Sequence, residues 1–274
     1  IQDRAGIDLP VDGAAGWDDG QTYVARSLGG FQIAGLIRYL DTNTYYRQPE
    51  IVGAVSWDRP VTVEDYKAAQ SMSSRPVKAL LPGPYSLYRF SKDLHYKSPA
   101  EALRAIGAAL GKEAQALEKA GATWIHFEEP WIGKARAEEA PLVRAALEPL
   151  LSGRTAKTVI HVPFSAPTAV FDTLIELPWT AIGLDLVGDQ SGWKLLDRVP
   201  KGRTVMLGLV DARNTRLENA ADLARMIERA ASTCPHLEFQ VSPSASLEYL
   251  PADRAEQKVT RLAEAAKLAM RNGG

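Results

Sequence analysis

Two adjacent carboxylates at the end of an apolar run are the first residues of this chain that could do chemistry. The segment Trp124-Ile-His-Phe-Glu-Glu-Pro130 begins with β-branched and aromatic residues, which favour a buried strand, and ends with Glu128 and Glu129. Pro130 cannot continue a central strand, so both glutamates are predicted to lie where a strand stops. Successive strand residues face opposite sides. Only one glutamate can therefore point along the axis of the sheet or barrel, and a buried charge there must be paired or used.

Other apolar runs also end in polar residues. Their C-terminal ends carry Asp12, Tyr85 after Pro82-Gly83-Pro84, His161, Asp185, Asp211 with Arg213, and Ser242 with Ser244. In a barrel of parallel strands these ends converge on one mouth. Carboxylates with one histidine and one arginine could bind a zwitterionic amino acid or perform acid and base chemistry. For any single carboxylate, capping a helix or pairing with a rim cation is an equally good interpretation, but the set on successive strand ends favours a ligand site.

The elements that must position these residues alternate between strand-like and helical segments. Seven runs are apolar at consecutive positions, which is typical of a parallel sheet wrapped by helices: 6–13, 77–84, 122–127, 158–163, 181–187, 204–211 and 237–243. Helices are predicted over 61–73, 98–120, 135–151, 170–177, 193–197, 220–231 and 252–270. We therefore predict an α/β fold, a (β/α)8 TIM barrel. The remaining strand is expected in a missing segment before Ile1 or within 17–57.

Composition and charge narrow the class of protein. The 274 residues are 46% hydrophobic and 24% charged, without linker or repeat, which indicates one globular domain over 1–274. The 32 basic and 33 acidic residues are spread along the chain, so neither a nucleic acid nor a membrane is expected as a partner. The single cysteine, Cys234, excludes an internal disulfide and suits a reducing, cytoplasmic compartment. No run approaches the ~20 apolar residues of a membrane span.

The remaining candidate residues are a histidine, the cysteine and a group of aromatics. A zinc site needs three or four nitrogen, sulfur or carboxylate ligands, and His161 is followed by Val162-Pro-Phe-Ser165. A core or rim histidine is therefore the favoured interpretation, with no metal. Cys234, before Pro235, is predicted to be buried and inert. An aromatic group could wall a flat ligand, although such residues more often form core: Tyr23, Phe31, Tyr39, Tyr45, Tyr46 and Trp57.

Five segments, in order along the chain, resemble the cobalamin-independent methionine synthase family. They are Tyr39-Leu-Asp-Thr-Asn-Thr-Tyr-Tyr-Arg-Gln-Pro49, Leu81-Pro-Gly-Pro-Tyr-Ser86, Trp124-Ile-His-Phe-Glu-Glu-Pro130, Leu207-Gly-Leu-Val-Asp-Ala-Arg-Asn214 and Val241-Ser-Pro-Ser-Ala-Ser-Leu247. Full-length members have two related barrels. The C-terminal barrel carries zinc, which activates the homocysteine thiol, and methyltetrahydrofolate supplies the methyl group. The Asp-Thr-Asn and Val-Asp-Ala-Arg-Asn segments are most similar to the N-terminal, zinc-free barrel.

The chain departs from the zinc ligands of the family's catalytic barrel. The His-x-Cys of that barrel stands here as His161-Val162-Pro163, only Asp185 is a candidate for the glutamate of the following strand, and Ala245 replaces the second cysteine. Without both thiolates the resemblance disfavours zinc and thiol activation by it. It implies instead a zinc-bearing methionine synthase catalytic subunit as partner. The family's Asp-Glu-Pro is Glu128-Glu129-Pro130 here, which lengthens the first carboxylate by one methylene.

The resemblance implies a single-barrel, methionine-synthase-like methyltransferase that acts on a small-molecule substrate. It would take part in methyl transfer from methyltetrahydrofolate or a methylcorrinoid, with no tightly bound cofactor, to homocysteine or a related thiol. The catalytic residues would be Glu128, Glu129, Asp211 and His161, and the substrate-binding residues Asp12, Asn43, Arg47, Tyr85, Asp185, Arg213 and Ser242. Two other functions remain open. One is a metal-independent lyase, decarboxylase or demethylase that uses Glu129 or His161 for proton transfer, and the other is a non-catalytic folate-binding subunit.

Overall fold

Strands and helices alternate along most of the chain. The structure, a computed structural model, describes residues 1–272. The N-terminal part contains α1 (Gln2–Ala5), α2 (Gly20–Ala25), β1 (Gly29–Arg38), β2 (Tyr45–Ser56) and α3 (Val63–Ser71). The rest contains β3 (Lys78–Pro82), α4 (Pro84–Phe90), β4 (Lys92–Asp93), α5 (Pro99–Lys119), β5 (Trp124–Glu128), α6 (Ala140–Leu151), β6 (Lys157–Val162), α7 (Phe171–Glu176), β7 (Ala181–Asp185), β8 (Thr204–Val210), α8 (Ala220–Thr233), β9 (Glu238–Pro243) and α9 (Ala252–Asn272).

A sheet of six parallel strands forms the centre of the fold. The strands pair in the order β3, β5, β6, β7, β8 and β9. Strands that are neighbours in this sheet therefore also follow one another along the chain. Every pairing in this sheet is parallel, which requires the chain to cross back between strands, and helices make most of the crossings. The predicted α/β class is confirmed. No helix within residues 1–272 is long and apolar enough to cross a membrane.

The structure corrects two predictions about the N-terminal third. The run 6–13 forms no regular strand and contributes a single bridge, between Val11 and Lys78, because Pro10 has no N–H to extend the ladder. Its backbone joins the sheet through Lys78 N–H to the Pro10 carbonyl (2.8 Å) and Asp12 N–H to the Lys78 carbonyl (3.0 Å). The region 17–57 does not supply a barrel strand. Its strands β1 and β2 form an antiparallel hairpin, and β2 pairs further with β4.

The predicted helices agree with the structure in position but not always in type. Predictions over 61–73, 98–120, 170–177, 220–231 and 252–270 correspond to α3, α5, α7, α8 and α9. The predicted helix at 135–151 is regular only from Ala140, after two 3-10 turns at Ile132–Lys134 and Ala137–Glu139. The short segment near 193–197 lies in a 3-10 helix, Gln190–Arg198, and another 3-10 turn, Leu247–Tyr249, follows β9.

The sheet has two different faces. The face toward the helices is packed with large aliphatic and aromatic side chains, such as Ile125, Phe127 and Ile160, all fully buried against the main core. The opposite face holds a small cluster of Val159, Ala181 and Met206. This second face is the inside of the curved sheet. Residues two apart in a strand share a face, so a polar residue two positions from Val159 in β6 also points to the inside.

A buried carboxylate ties α5 to the chain after β2. Glu113 is 1% exposed and accepts hydrogen bonds from the indole N–H of Trp57 (2.6 Å) and from the backbone N–H of Val61 and Thr62 (2.7 to 3.0 Å). The Thr62 hydroxyl donates a further bond of 2.9 Å. Both carboxylate oxygens are therefore used as acceptors, and they hold the segment that follows β2 against α5 in the helical layer.

We expect Glu113→Gln to lower the free energy of unfolding by about 2 kcal/mol. The glutamine amide offers one acceptor oxygen, so its NH2 group would face a buried N–H donor. Urea unfolding followed by circular dichroism measures the change. Glu264→Gln is the matched control, because Glu264 forms only a half-exposed pair with Arg261 and should change stability by less than about 0.5 kcal/mol. Equal losses in both variants would contradict the anchoring role.

Candidate active site

The inner face of β5 provides the polar floor of a cavity. His126 and Glu128 are two residues apart in this strand and point to the inside of the sheet, while Phe127 and Glu129 point to the helices. Both inward residues line a cavity of about 520 Å³. The register pairs Glu128 with His161 of β6, so His161 lies beside His126 and Glu128. The C-terminal ends of two neighbouring strands therefore bring two imidazoles and a carboxylate together.

The three side chains are close enough to act on one atom. One ligand atom from each of His126, Glu128 and His161 lies within 4.8 Å of the others. The Nδ1 of His161 is 3.8 Å from Oε1 of Glu128. The two imidazole rings meet edge to face with centroids 5.4 Å apart. No group within residues 1–272 hydrogen-bonds to any of the four ring nitrogens.

A buried lysine completes the floor. Lys78 of β3 lines the same cavity, is 7% exposed, and has its Nζ 3.8 Å from the sulfur of Met206. Burial lowers its pKa to about 8, and the charge of Glu128 opposes that shift. Burial also lowers the pKa of His126 well below its usual range, and Lys78 and His161 lower it further. His126 is therefore a neutral imidazole at pH 7.

Aromatic side chains line the cavity between β1 and the segment after β9. Tyr39 stacks on Phe90 with centroids 4.8 Å apart and lies 6.3 Å from the ring of Tyr249 at 25°. Tyr39 and Tyr249 both line the cavity, as do Tyr45 and Tyr46 of the predicted aromatic group. Ser242, at the end of β9, also faces the cavity, and its hydroxyl has no hydrogen-bond partner within the described residues.

Glu129 lies on the other face of β5, where its carboxylate caps a helix. It is 0% exposed and accepts hydrogen bonds from the N–H groups of Tyr85 (3.0 Å) and Ser86 (2.8 Å) and from the Ser86 hydroxyl (2.5 Å). These donors belong to the first turn of α4, where a negative charge is favourable. Burial raises the pKa of Glu129 to about 7, and the three hydrogen bonds act in the opposite direction. Gly83 leaves room for this side chain, since a Cβ there would lie 2.1 Å from Cδ of Glu129.

Asp185 also serves the backbone and not the cavity. Its oxygens accept hydrogen bonds from the N–H groups of Val187 (2.9 Å), Gly188 (2.7 Å) and Phe164 (3.1 Å). Phe164 has φ of 72°, an uncommon conformation for a bulky residue, and its bond to Asp185 holds it there. The carboxylate therefore fixes the loops that follow β6 and β7.

Five further residues predicted for the site lie outside the cavity lining. Tyr85 is buried and donates its hydroxyl to Glu139 (3.1 Å), and Asp211 accepts from the Arg213 N–H (2.7 Å) in its own loop. Arg213 is exposed, over the ring of Phe164. Asn43 and Arg47 are exposed residues of the hairpin, also beyond the lining.

Asp12 holds the N-terminal segment on the sheet. Its carboxylate accepts hydrogen bonds from the N–H groups of Leu80 (3.0 Å) and Ala14 (3.2 Å). Val11, Gly13 and Ala14 line the cavity, but Asp12 itself does not. Its role in the structure is to position the segment that covers the end of β3.

The structure thus brings Glu128, His161 and Ser242 of the predicted residues to one cavity and adds two that the sequence analysis missed. These are Lys78 and His126. A signal for His126 was present, because a residue two before Glu128 in the same strand shares its face. Lys78 is inward-facing in the neighbouring strand β3, but its partners become evident only from the register of β3 with β5.

The residues of this chain do not reproduce the zinc ligands of the family it resembles. Pro163 and the buried Ala245 offer no ligand atom, and all three hydrogen bonds of Asp185 come from the backbone. The single cysteine, Cys234, is buried as predicted, 3.4 Å from an oxygen of Asp197. Of the four ligand positions His161 and Ala245 line the cavity, and of the two only His161 offers a ligand atom. A cysteine-based zinc site does not fit here.

A curved parallel sheet wrapped by helices, with a polar cavity at its strand ends, defines an enzyme of the TIM-barrel type. Residues 1–268 match the family model described as the cobalamin-independent synthase, catalytic domain. The chain therefore belongs to the cobalamin-independent methionine synthase family. The predicted family is confirmed, but the matched model is the catalytic domain and not the zinc-free N-terminal barrel that two segments resemble.

Curated and solved relatives agree with this assignment. The methionine synthases of Saccharolobus solfataricus and Sulfurisphaera tokodaii are 26% and 28% identical, over 97% and 96% of this chain and 80% and 78% of theirs. A B12-independent methionine synthase from Shewanella sp. W3-18-1, solved in complex with selenomethionine, has the same fold: its TM-score is 0.90 at 24% identity, over 99% of this chain and 85% of that chain. A putative vitamin-B12 independent methionine synthase from Listeria monocytogenes gives a TM-score of 0.74 at 17% identity, over 100% and 84%.

We expect Glu129→Gln to destabilise the fold by about 1 to 3 kcal/mol, because glutamine cannot accept all three hydrogen bonds from α4. Thermal and urea unfolding measure the loss. Glu138→Gln is the control, since Glu138 is exposed and pairs only with Arg136. If Glu129→Gln kept full stability and lost turnover, the helix-capping role would be wrong and the predicted catalytic role would be supported.

Asp12 should give stability a pH dependence. Burial raises its pKa from 3.8 to about 6, against the two backbone hydrogen bonds that lower it. The folded state therefore holds the proton more tightly, so the contribution of this group is fully present below about pH 3.8 and is lost as the pH rises through about 6. We expect the free energy of unfolding of wild type to fall relative to that of Asp12→Asn by about 1 kcal/mol between about pH 4 and pH 7.

Urea unfolding at several pH values measures this change. Asp8→Asn is the control, because the Asp8 side chain is 93% exposed and its substitution should give a difference that does not vary with pH. A difference for Asp12→Asn that widens as the pH rises would contradict the assignment.

Proposed function

We propose that this protein transfers a methyl group to the thiol of homocysteine or a related small molecule bound over the floor of the cavity. The observation that carries the proposal is the floor itself, where Lys78, His126, Glu128 and His161 meet at the strand ends of a chain that matches the family's catalytic domain. The name methionine synthase, carried by the curated relatives, supports homocysteine as the acceptor.

The floor offers the groups that a thiol nucleophile needs. A thiol attacks as the thiolate, and no group among the described residues hydrogen-bonds to the ring nitrogens of His161, so this imidazole can accept the proton. Lys78 is the cation on the same floor and stabilises the negative sulfur. Glu128 is an acceptor for the ammonium group of an amino acid, a role that Glu248 at the cavity wall can share.

The transfer balances with an N-methyl donor. The sulfur attacks the methyl carbon while the bond between that carbon and the donor nitrogen breaks, and the nitrogen keeps the bonding electron pair. The proton taken from the thiol by an imidazole then passes to the leaving nitrogen, which returns the protein to its starting state. Because the family is cobalamin-independent, a methyltetrahydrofolate donor is favoured over a methylcorrinoid.

The aromatic wall supports a flat donor. Tyr39 and Tyr249 line the cavity as a stacked pair with centroids 6.3 Å apart at 25°, and Phe90 stacks on Tyr39. A pterin ring that packs against this aromatic wall would share the cavity with the bound thiol, so that its methyl group can be brought to the sulfur. A zinc-bearing catalytic subunit as partner remains part of the proposal, since the family's cysteine ligands are missing from this chain.

The test is a homocysteine methylation assay with methyltetrahydrofolate, with this protein alone and with a zinc-bearing homologue. We expect methionine to form, and we expect Glu128→Gln to lower kcat/KM by about 100-fold, because it removes the charge that positions the substrate. Glu138→Gln, on the exposed surface, is the matched control and should keep wild-type activity.

Three outcomes would overturn the proposal. No methionine with the protein alone or with the homologue would exclude the reaction. Tight folate binding without turnover would point to a non-catalytic subunit. An unchanged rate in Glu128→Gln would show that the reaction does not use this cavity.

A further inference from the structure

The floor of the cavity has the composition of a metal site that differs from the one known in this family. His126 and Glu128 lie on one face of β5, and His161 is the register partner of Glu128 in β6. One ligand atom from each lies within 4.8 Å of the others. All three sit on central strands of a parallel sheet, which holds their backbones in fixed positions.

The ring nitrogens of His126 and His161 make no hydrogen bonds with the described residues that would stabilise the fold. His126 is 6% and His161 is 3% exposed, and none of their four ring nitrogens is hydrogen-bonded by a group within residues 1–272. A buried polar group without a partner costs about 1 to 3 kcal/mol. Seven other residues within 1–272 each have one buried side-chain atom without a partner, whereas His126 and His161 have two each and lie side by side. Such a pair of wholly unpartnered imidazoles needs a reason.

We infer that His126, Glu128 and His161 bind one divalent transition-metal ion, with Zn²⁺ as the expected ion. Two imidazole nitrogens and one carboxylate oxygen are ligands that zinc and its first-row neighbours favour, whereas Mg²⁺ and Ca²⁺ prefer sites made of oxygen. Three protein ligands also leave a coordination position toward the cavity, which is the arrangement of catalytic rather than structural zinc. With the ion bound, His161 and Glu128 would be its ligands in place of the proton-accepting and ammonium-binding roles proposed for the metal-free cavity, and Glu248 would remain for the ammonium group.

The geometry requires a small closure of the side chains. Ligand atoms of a tetrahedral zinc ion lie roughly 3.3 Å apart, given bonds of about 2.0 to 2.1 Å. The largest separation here is within 4.8 Å, and His161 Nδ1 is already 3.8 Å from Glu128 Oε1. Glu128 is the least buried of the three, with 27% of its side chain exposed, so it has the freedom to close the site.

This site lies one strand away from the site of the family. The family's cysteine positions are Pro163 and Ala245 here, and Asp185 is used by backbone N–H groups. His161 is the residue that the two ligand sets share. Zinc is disfavoured by the residues that follow His161 in the chain, none of which is a ligand, whereas the partners proposed here come from the neighbouring strand.

Lys78 opposes the ion. Its ammonium group lies on the same floor, and its charge acts on both His126 and Glu128. A cation beside a metal ion weakens binding, so Lys78→Met should bind zinc roughly tenfold more tightly than wild type. Weaker binding in this variant would contradict the placement of the ion beside the lysine.

The test measures metal binding and needs no activity, so its failure is distinguishable from failure of the methyl-transfer proposal. The purified full chain is freed of metal with a chelator and titrated with Zn²⁺ by calorimetry, and with Co²⁺ by visible absorption. We expect one ion per chain at roughly micromolar Kd or tighter. We also expect a Co²⁺ spectrum without a sulfur-to-metal band, and no binding of Mg²⁺ at the same concentration.

The four histidines of the chain supply matched variants. His126→Gln and His161→Gln should each weaken Zn²⁺ binding by at least about 100-fold. His95→Gln with His236→Gln, both at exposed positions, should leave it unchanged, as should Cys234→Ser. Circular dichroism verifies that each variant folds. Absence of stoichiometric binding, or equal loss in the exposed-histidine variant, would overturn the proposal.

Discussion

The alternation of side chains along β5 is the constraint on which the rest of the site depends. Phe127 packs in the outer core, with its ring 5.9 Å from that of Trp179, and Glu129 is held by the first turn of α4. These outward contacts leave His126 and Glu128 no other direction than the inside of the sheet. A register slip of one residue would turn Phe127 and Glu129 to the inside and His126 and Glu128 to the helices. The packing of the outer face therefore determines which side chains face the cavity.

Glycines make the room that these side chains occupy. A Cβ at Gly183 would lie 2.5 Å from Cε of Met206 and 2.9 Å from Cδ2 of His161, so the bare backbone of β7 accommodates the imidazole of β6. Gly83 does the same for Glu129 on the other face of the sheet. Both positions are therefore part of the site although neither has a functional group. Their effect is to set the orientation of a neighbour's side chain, which a sequence pattern alone does not reveal.

The strands of the sheet could be predicted because each is apolar at consecutive positions, a pattern that only a sheet covered on both sides explains. The hairpin of β1 and β2 lacks that pattern, so the sequence does not predict it. For the site, the strand ends were predictable but the use of each carboxylate was not. Asp185 and Glu129 stand at strand ends like Glu128, yet backbone N–H groups take their oxygens. Such hydrogen bonds depend on loops whose course follows from tertiary packing, and for that reason only Glu128 remained available to a ligand.

Two buried lysines of the same chain distinguish structural from functional polarity. Lys258 is 0% exposed and donates hydrogen bonds of 2.8 Å to the Asp211 carbonyl and to Glu218, which satisfy its charge. Lys78 is nearly as buried, but within residues 1–272 its one neighbour at hydrogen-bonding range is the sulfur of Met206, a weak acceptor. Folding alone favours the first arrangement and disfavours the second. The unpaired lysine and the unpaired imidazoles lie together on the cavity floor. Burying them without partners lowers the stability of the fold, and this is expected of a site whose polar groups make their bonds to a ligand.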